Sequence, residues 1–202
     1  MANTFTPFGF SEAGRQDGAS WSANRRPYLI AYDNTHKLFT GDICTLLGTG
    51  YIDTLAPGTT PPLGIFVGCQ YYSASQQKLV DVPYFPGGDT VTNGVVTAYV
   101  LDDPNLVFEV QTGWSAGSPA PATQAMVGAN AQYANGTGNT TTGLSGAYID
   151  LNTTPTTTST LPFRILSLVT EPPGANGTDT STAYNKLLVM WNSEFYRQLT
   201  GV

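Results

Sequence analysis

The fold class of this chain is decided by residues 64–112, GIFVGCQYYSASQQKLVDVPYFPGGDTVTNGVVTAYVLDDPNLVFEVQT. Three runs in it, at 64–72, 94–101 and 106–111, are rich in aromatic and β-branched residues. Each run is short and is bounded by turn-forming residues such as Gly, Asn, Asp or Ser, which is typical of β-strands joined by turns. The link at 102–105, Asp-Asp-Pro-Asn, suits a type I turn, because Pro fixes φ and Asp accepts backbone N–H groups. So short a link predicts that the last two strands form a β-hairpin.

Further strand-like runs lie on both sides of this stretch. They are predicted at residues 27–32, 41–47, 51–55, 163–169 and 186–191. No apolar period of 3.6 residues holds over three helical turns, and a single helical turn is predicted at 193–197. A count of about eight to ten strands without a long helix predicts an all-β domain, either a jelly roll or a β-sandwich or barrel-like fold.

Two segments differ in composition from this β-rich body. Residues 1–26 combine Gly, Ser, Asn and Arg with scattered aromatic residues, which predicts an extended N-terminal arm ordered by the surface it lies against. Residues 112–160 hold one charge, Asp150, among long runs of Gly, Ala, Thr, Ser and Asn. They predict an insertion or long loops within a β-rich domain of residues 27–202. Short strands at 131–133 and 147–151 are the alternative to a solvated loop.

Charges are few and unevenly placed along the chain. The formal net charge is −6 and 11% of the 202 residues are charged, well below the usual fraction of about one quarter. From Leu79 to Phe163 there is no Lys or Arg, whereas six acids fall there. Such a surface repels phosphate, so no nucleic-acid partner is expected. The basic residues near the N-terminus are Arg15, Arg25, Arg26 and Lys37. They have two interpretations: ordinary solvated charges, or a basic arm that docks on an acidic protein partner.

Cys44 and Cys69 are the two cysteines of the chain. Two cysteines do not establish a disulfide, and the first residues carry no secretion signal, so both are predicted to be buried free thiols in flanking strands. No apolar run approaches the ~18 residues of a membrane helix, so no membrane partner is expected. The chain is expected to be made in a cytosol, where its four Asn-x-Thr sequons are chance products of an Asn/Thr-rich sequence.

The residues that carry chemistry form no recognisable catalytic, metal or cofactor motif. His36 is the one histidine and lies in an apparent turn, which predicts a solvated loop histidine. The sequence has no Gly-x-Ser-x-Gly, no phosphate-binding loop and no zinc-ligand spacing. Asp102 and Asp103 precede Pro104, so they are predicted to form a turn and not a catalytic pair or a calcium site. The prediction is therefore no enzyme, no cofactor and no metal.

Several patches of the sequence resemble structural proteins of tailed-bacteriophage heads. These patches are GDI at 41–43, PLGIFVGCQY at 62–71, PYFPGG at 83–88, AYVLDDPNLVFEVQ at 98–111, LPFRIL at 161–166 and NKLLVMWN at 185–192. They look like the capsid cement, or head decoration, proteins of short-tailed phages and their relatives, with residues 112–160 outside the match. The resemblance implies a small β-rich protein, often a jelly roll, on the outer capsid lattice. It carries over no catalytic residue.

Composition agrees with what the resemblance implies, a structural virion protein that binds the outer capsid surface and cements neighbouring subunits. Modest contacts with several subunits of a lattice reinforce one another, and such interfaces are enriched in the aromatic residues that make up 11% of this chain. The expected partners are the major capsid protein and further copies of the chain, as a homodimer or homotrimer. The expected location is the capsid surface of the virion, after synthesis in the bacterial host cytoplasm.

The N-terminal arm is expected to reach a neighbouring capsid subunit. Aromatic side chains would supply apolar contact area and arginines would supply charge. The candidate contact residues are Phe5, Phe8, Phe10, Arg15, Trp21, Arg25 and Arg26.

Two other functions fit parts of the sequence. A phage tail spike, a fibre or a carbohydrate-binding β-module would use Trp114, Trp191 and the Thr/Asn-rich loops, although tryptophan in a β-domain more often fills a core or an interface. A glycoside hydrolase or lyase on a jelly roll would use Asp102, Asp103 or Glu109 as its acids.

Overall fold

The computed structural model describes residues 2–19, 25–57 and 61–197, and these residues form an all-β fold. Two short 3₁₀ turns, at Gln124–Met126 and Phe195–Arg197, are the helical elements of the described ranges. The strands are β1 Ser11–Arg15, β2 Arg26–Ile30, β3 Leu38–Phe39, β4 Ile43–Leu46, β5 Ile52–Thr54, β6 Gly64–Ser73, β7 Lys78–Val82, β8 Tyr84–Phe85, β9 Val96–Leu101, β10 Leu106–Gly113, β11 Asn130–Ala131, β12 Tyr133–Ala134, β13 Tyr148–Asp150, β14 Phe163–Leu168 and β15 Lys186–Trp191.

The strands predicted from aromatic and β-branched runs are all present. They correspond to β2, β4, β5, β6, β9, β10, β14 and β15. The single helical turn predicted at 193–197 is confirmed as the 3₁₀ turn Phe195–Arg197. The all-β class, barrel-like or sandwich, is therefore confirmed, because each of these runs has the residue types that pack well on a pleated surface.

Two main sheets build the molecule. In the first, the strand order is β2-β9-β6-β4-β5, with β7 paired to the C-terminal half of β6. Strand β2 lies near β5, so this sheet curls into a nearly closed barrel. In the second, the order is β11-β14-β15-β10-β13-β12, and β1 also pairs with β10. Strands β3 and β8 form a small separate pair.

Apolar side chains form two cores around these sheets. One core lies between the sheets and is rich in aromatic rings; Trp191 stacks on Phe163, with ring centroids 4.7 Å apart. The other is enclosed by the curled first sheet and contains Phe66 and Cys69 of β6. Strand β6 is thus covered on both faces, which explains why its sequence is almost continuously apolar and does not alternate.

The hairpin predicted at residues 102–105 is wrong, although the turn itself is right. The N–H of Leu106 donates to the carbonyl of Asp103, and the N–H of Asn105 donates to the Asp103 carboxylate, as expected for an Asp-Pro turn. Strands β9 and β10 nevertheless belong to different sheets. Strand β9 pairs with β2 along one edge and with β6 along the other. Strand β10 pairs with β15 along one edge and with β1 and then β13 along the other. The turn therefore carries the chain from one sheet to the other.

The N-terminal segment is part of the folded body and not an arm that leaves it. Within residues 2–19, β1 pairs antiparallel with β10, and Phe10 is buried in the core between the sheets. At Gly9 the segment passes close to Gly41, in the link between β3 and β4, and the N–H of Phe10 donates to the Gly41 carbonyl. Both glycines have positive φ, and a Cβ at Gly9 would lie 2.6 Å from Cβ of Ser145, so this close crossing requires glycine.

Residues 112–160 are likewise integrated and not an insertion beside the fold. Strand β13 lies next to β10, and β11 pairs with β14. Ile149 and Tyr133 are fully buried, and the Tyr133 hydroxyl donates to the Leu55 carbonyl at 3.0 Å. The segment is low in charge because several of its residues face the core.

Both cysteines are free and buried, as predicted. Cys44 lies in β4 and Cys69 in β6, two strands that pair with each other. Burial raises the pKa of each thiol, that of Cys69 to about 12. Over residues 2–19, 25–57 and 61–197, no helix is long and apolar enough to cross a membrane.

Candidate functional site

A cleft of about 420 Å³ lies between the N-terminal segment and the two sheets, and we call it the N-terminal cleft. Three of the sequence-predicted contact residues, Phe8, Phe10 and Arg25, line it. Its walls are mostly apolar, and Glu12 and Arg25 are the two charged residues among its lining. The full lining is Phe8, Phe10, Ser11, Glu12, Arg25, Thr40, Gly41, Val67, Leu101 and Leu144.

Backbone pairing turns the Glu12 side chain towards the cleft. Glu12 lies opposite Phe108 in the β1–β10 ladder, and cross-strand partners share one face of a sheet. Phe108 is fully buried, so this face is the core face. The register shifts between Glu12 and Gly14, and a β-bulge of this kind re-aims side chains at the end of a ladder.

The Glu12 carboxylate is the unusual group of the N-terminal cleft. Both of its oxygens are shielded from solvent and have no hydrogen-bond partner among the described residues. Burial is the largest influence and raises the pKa of Glu12 to about 7; the charge of Asp103 adds to this, while Arg15 and Arg25 oppose it. A carboxylate without a donor is costly in a poorly hydrated place.

Replacing Glu12 with glutamine is expected to stabilise the protein above neutral pH. The pKa of Glu12 is higher in the folded state, about 7, than its ordinary value of 4.5. Ionisation above that pKa therefore disfavours folding, and stability is regained as pH falls from about 7 to about 4.5. At about pH 8 we expect E12Q to raise the free energy of unfolding by about 1–2 kcal/mol, a value reduced for partial solvent exposure.

Urea denaturation of wild type and E12Q at about pH 8 and about pH 4 checks this. The difference in unfolding free energy should disappear at the lower pH, where Glu12 is protonated in both states. An equal difference at the two pH values would contradict the role given to the charge.

The opposite wall of the N-terminal cleft is held by a hydrogen-bonded loop. The Ser145 hydroxyl and the N–H of Phe39 both donate to the Asp42 carboxylate, the latter at 2.7 Å. Burial raises the pKa of Asp42, and these two hydrogen bonds oppose the rise. The Thr40 hydroxyl donates to the Pro83 carbonyl at 2.6 Å, so this donor is occupied away from Glu12.

A second cleft, of about 230 Å³, lies where the barrel of the first sheet fails to close, and we call it the seam. Leu29 of β2, Tyr51 before β5 and Val95 before β9 line it and are exposed by 46%, 39% and 69%. In the part of the chain that the structure describes, β2 and β5 are not paired with each other. The seam therefore combines exposed apolar side chains with two unpaired strand edges, a combination that invites contact with another chain.

Phe5, Arg15 and Trp21 are the other predicted contact residues of the N-terminal segment. Phe5 is exposed by 40% and packs edge-on against Tyr148. Arg15 forms ion pairs with Asp17 and Asp103. Trp21 lies outside the described residues. Phe10 is in the core, so its predicted contact with a capsid is not available to it in this structure.

Arg26 belongs to a polar cluster at the end of β9. It lies 3.4 Å from the buried Asp102 carboxylate, which also accepts hydrogen bonds from Tyr28 at 2.6 Å and from Tyr196 at 3.3 Å. Burial, together with donation to Asp102, raises the pKa of Tyr28. Asp102 thus ties β2 to the C-terminal turn, whereas Asp103 faces Arg15; the two adjacent acids serve different partners.

The other residues considered for chemistry have structural contacts. His36 is largely exposed, as predicted for a loop, and its Nδ1 lies 2.8 Å from the Asp53 carboxylate. Glu109 forms an ion pair with Lys186 at 2.8 Å. Trp191 is buried in the core and offers no ring to a sugar, while Trp114 is partly buried and donates to the Ala120 carbonyl at 3.2 Å.

Sequence reasoning missed the residues that define both clefts. Glu12 carries no sequence signal, because its orientation depends on its pairing with a strand almost one hundred residues later. The seam residues lie in or directly before correctly predicted strands, but only barrel geometry reveals which of them remain exposed. A weak signal existed at Val95, which follows Gly94 and precedes Val96 in a run where alternation would place one valine outward.

In residues 2–19, 25–57 and 61–197, no group of three or more His, Cys, Asp or Glu side chains is placed to hold a metal ion. No protein-family model, no curated protein and no solved structure matches the chain.

Proposed function

We propose that this chain is a structural protein that binds the outer surface of a bacteriophage capsid and cements neighbouring major capsid protein subunits. The patches of sequence that resemble head decoration proteins are the reason for naming a capsid as the partner. The observation that carries the binding function is the seam, where Leu29, Tyr51 and Val95 are exposed together. A folded protein gains by covering such a patch with another protein.

The seam has the composition of the centre of a protein interface. Interface centres are depleted in charge and enriched in aromatic residues. Among the described residues, no charged side chain lines the seam. Tyr32 and Tyr51 flank its aliphatic residues, and Asn93 supplies a polar edge. Because the patch lies on a curled sheet with two buried cores, it is pre-organised, so little conformational entropy is lost when it binds.

On a capsid lattice, a small binding patch can be sufficient for stable attachment. A standard interface involves about 20–30 residues on each partner, and the eight residues that line the seam supply only part of that number. Simultaneous contact with two or more subunits raises the overall affinity through the effective concentration of the second contact. Binding to the assembled shell and not to its dissociated subunits stabilises the shell by mass action. This is the physical meaning of cementing a DNA-filled head.

We expect Val95→Asp to weaken capsid binding strongly without unfolding the protein. Val95 is 69% exposed, so a carboxylate there remains hydrated in the free protein but loses its water in the interface. The affinity should fall by about tenfold to one-hundredfold. The measurement is the number of copies bound per major capsid protein after sedimentation of phage heads that lack the protein and are supplied with it again.

Leu79→Asp is the matched control for this experiment. Leu79 is a similarly exposed aliphatic residue, at 61%, but lies on β7 outside the seam. It should bind heads like wild type, and wild-type protein should lower the release of DNA from heated heads. If the Val95 variant bound heads as tightly as wild type, the seam would not be part of the interface. No binding by wild type would overturn the proposed function.

A further inference from the structure

The N-terminal cleft contains an acid whose hydrogen-bonding capacity is unused. Both Glu12 oxygens are shielded from solvent and unpartnered among the described residues. A buried carboxylate accepts up to about four hydrogen bonds, and native structures rarely leave such a group without any. A site that carries this cost in the free protein gains when a donor arrives from outside.

Neither of the two arginines near Glu12 supplies that donor. Arg15, on the same strand, is held by Asp17 and Asp103. Arg25 is exposed at the cleft rim and is not hydrogen-bonded to the shielded Glu12 oxygens. Together with Asp103, these two arginines are the charged groups that act on Glu12, and neither arginine is hydrogen-bonded to its carboxylate.

The walls of the N-terminal cleft suit a long aliphatic stem. Phe8, Val67 and Leu101 line it beside Glu12, and Leu144 is 41% exposed at its edge. Lysine and arginine bury their methylene stems on apolar surface while their charged heads meet a polar group. Arginine fits best, because its planar guanidinium presents two parallel N–H donors to the two oxygens of one carboxylate.

We propose that the N-terminal cleft binds an arginine side chain of a partner polypeptide. The Glu12 oxygens, shielded in the free protein, turn towards the opening and both pair with the guanidinium, while the arginine stem packs against Phe8 and Leu101. The proposal rests on the proposed function only for the identity of the partner, which would then be a capsid subunit. The chemistry of the cleft is independent of that identity. It gives the protein a second contact, distinct from the seam.

Titration of the isolated full-length protein with n-butylguanidinium chloride tests the cleft. Backbone amide NMR shifts should move, saturably, at Ser11, Gly41, Val67 and Leu101, which line the cleft. In E12Q the binding should be about tenfold weaker, because a charge-assisted hydrogen bond is lost. Glu171→Gln, at an exposed acid in a loop, is the matched control and should bind like wild type.

Binding should also depend on pH and on the shape of the cation. It should weaken as pH falls from about 8 to about 5, since Glu12 is then protonated, and this dependence should be absent in E12Q. n-Butylammonium should bind more weakly than n-butylguanidinium, and butyrate should not compete. Absence of shifts at the cleft, or equal binding by E12Q, would overturn the proposal. Binding of n-butylguanidinium by a protein that fails to bind heads would leave the cleft intact and reject only the capsid function.

Discussion

Phe10→Ala is expected to lower the free energy of unfolding by about 3–5 kcal/mol, the usual loss for removing a buried aromatic ring. Phe10 is 2% exposed and stacks on Phe163, with ring centroids 4.4 Å apart. It also meets Phe108 and Tyr133 edge-on, so its removal leaves a cavity bordered by three rings from three strands. Because these rings are fixed on three different strands in a close-packed core, they cannot all move inward to fill the space, and the cavity remains.

Denaturation in urea, with both the midpoint and the slope recorded, measures this loss. Phe5→Ala is the matched control, because Phe5 belongs to the same segment but is 40% exposed. It should cost about 1 kcal/mol or less, since the ring that is removed is partly exposed and its aromatic contacts are one edge contact with Tyr148 and one tilted contact with Tyr184. Equal and small losses for both variants would show that the N-terminal segment is not part of the core.

Deletion of residues 2–24 has a different expected outcome from the one that a free arm implies. A free arm could be removed without harm to the fold. Here the deletion removes Phe10 from the core and β1 from the edge of β10, so we expect loss of folding. A loss of capsid attachment after that deletion would therefore reflect loss of folding and not loss of a binding contact. Point variants at the seam and at Glu12 are the sharper probes of binding.

Ile149→Ala is expected to lower the free energy of unfolding by about 2–5 kcal/mol. Ile149 is fully buried, lies opposite Thr112 of β10 on one side and opposite Tyr133 of β12 on the other, and belongs to the core between the sheets. The loss tests whether residues 112–160 are part of the fold. A solvated insertion would tolerate the same substitution within about 0.5 kcal/mol.

Leu144→Ala is the control for this second prediction. Leu144 stands five residues earlier in the same segment and is 41% exposed. It should cost less than about 1 kcal/mol, because little apolar surface is uncovered when it is shortened. Thermal unfolding of wild type, Ile149→Ala and Leu144→Ala, followed by circular dichroism, measures the loss of stability in each variant. A loss at Leu144 as large as that at Ile149 would contradict the burial difference on which the prediction depends.

The composition of residues 112–160 predicts solvated loops, whereas the structure buries several of these residues. Gly, Ala, Thr and Asn bury well where they are small or where their polar groups are bonded. Asn185 illustrates this: it is fully buried, its side-chain amide donates to the Ala122 carbonyl at 3.0 Å, and its oxygen accepts from the Ala122 N–H at 3.0 Å. The segment is thereby tied to the sheets through partners that lie far apart in the sequence.

Local residue pattern by itself determined the all-β class, the positions of the principal strands, the Asp-Pro turn and the two buried free thiols. These features depend on neighbouring residues, since turn chemistry and side-chain type act over a few positions. Tertiary structure decided which strands pair, that 102–105 connects two sheets and that the N-terminal segment enters the core. It also decided that, among the described residues, Glu12 has no hydrogen-bond partner and the seam stays uncovered. Each of those outcomes depends on contacts between residues distant in the chain, and no local pattern encodes which distant edge or ring a given residue meets.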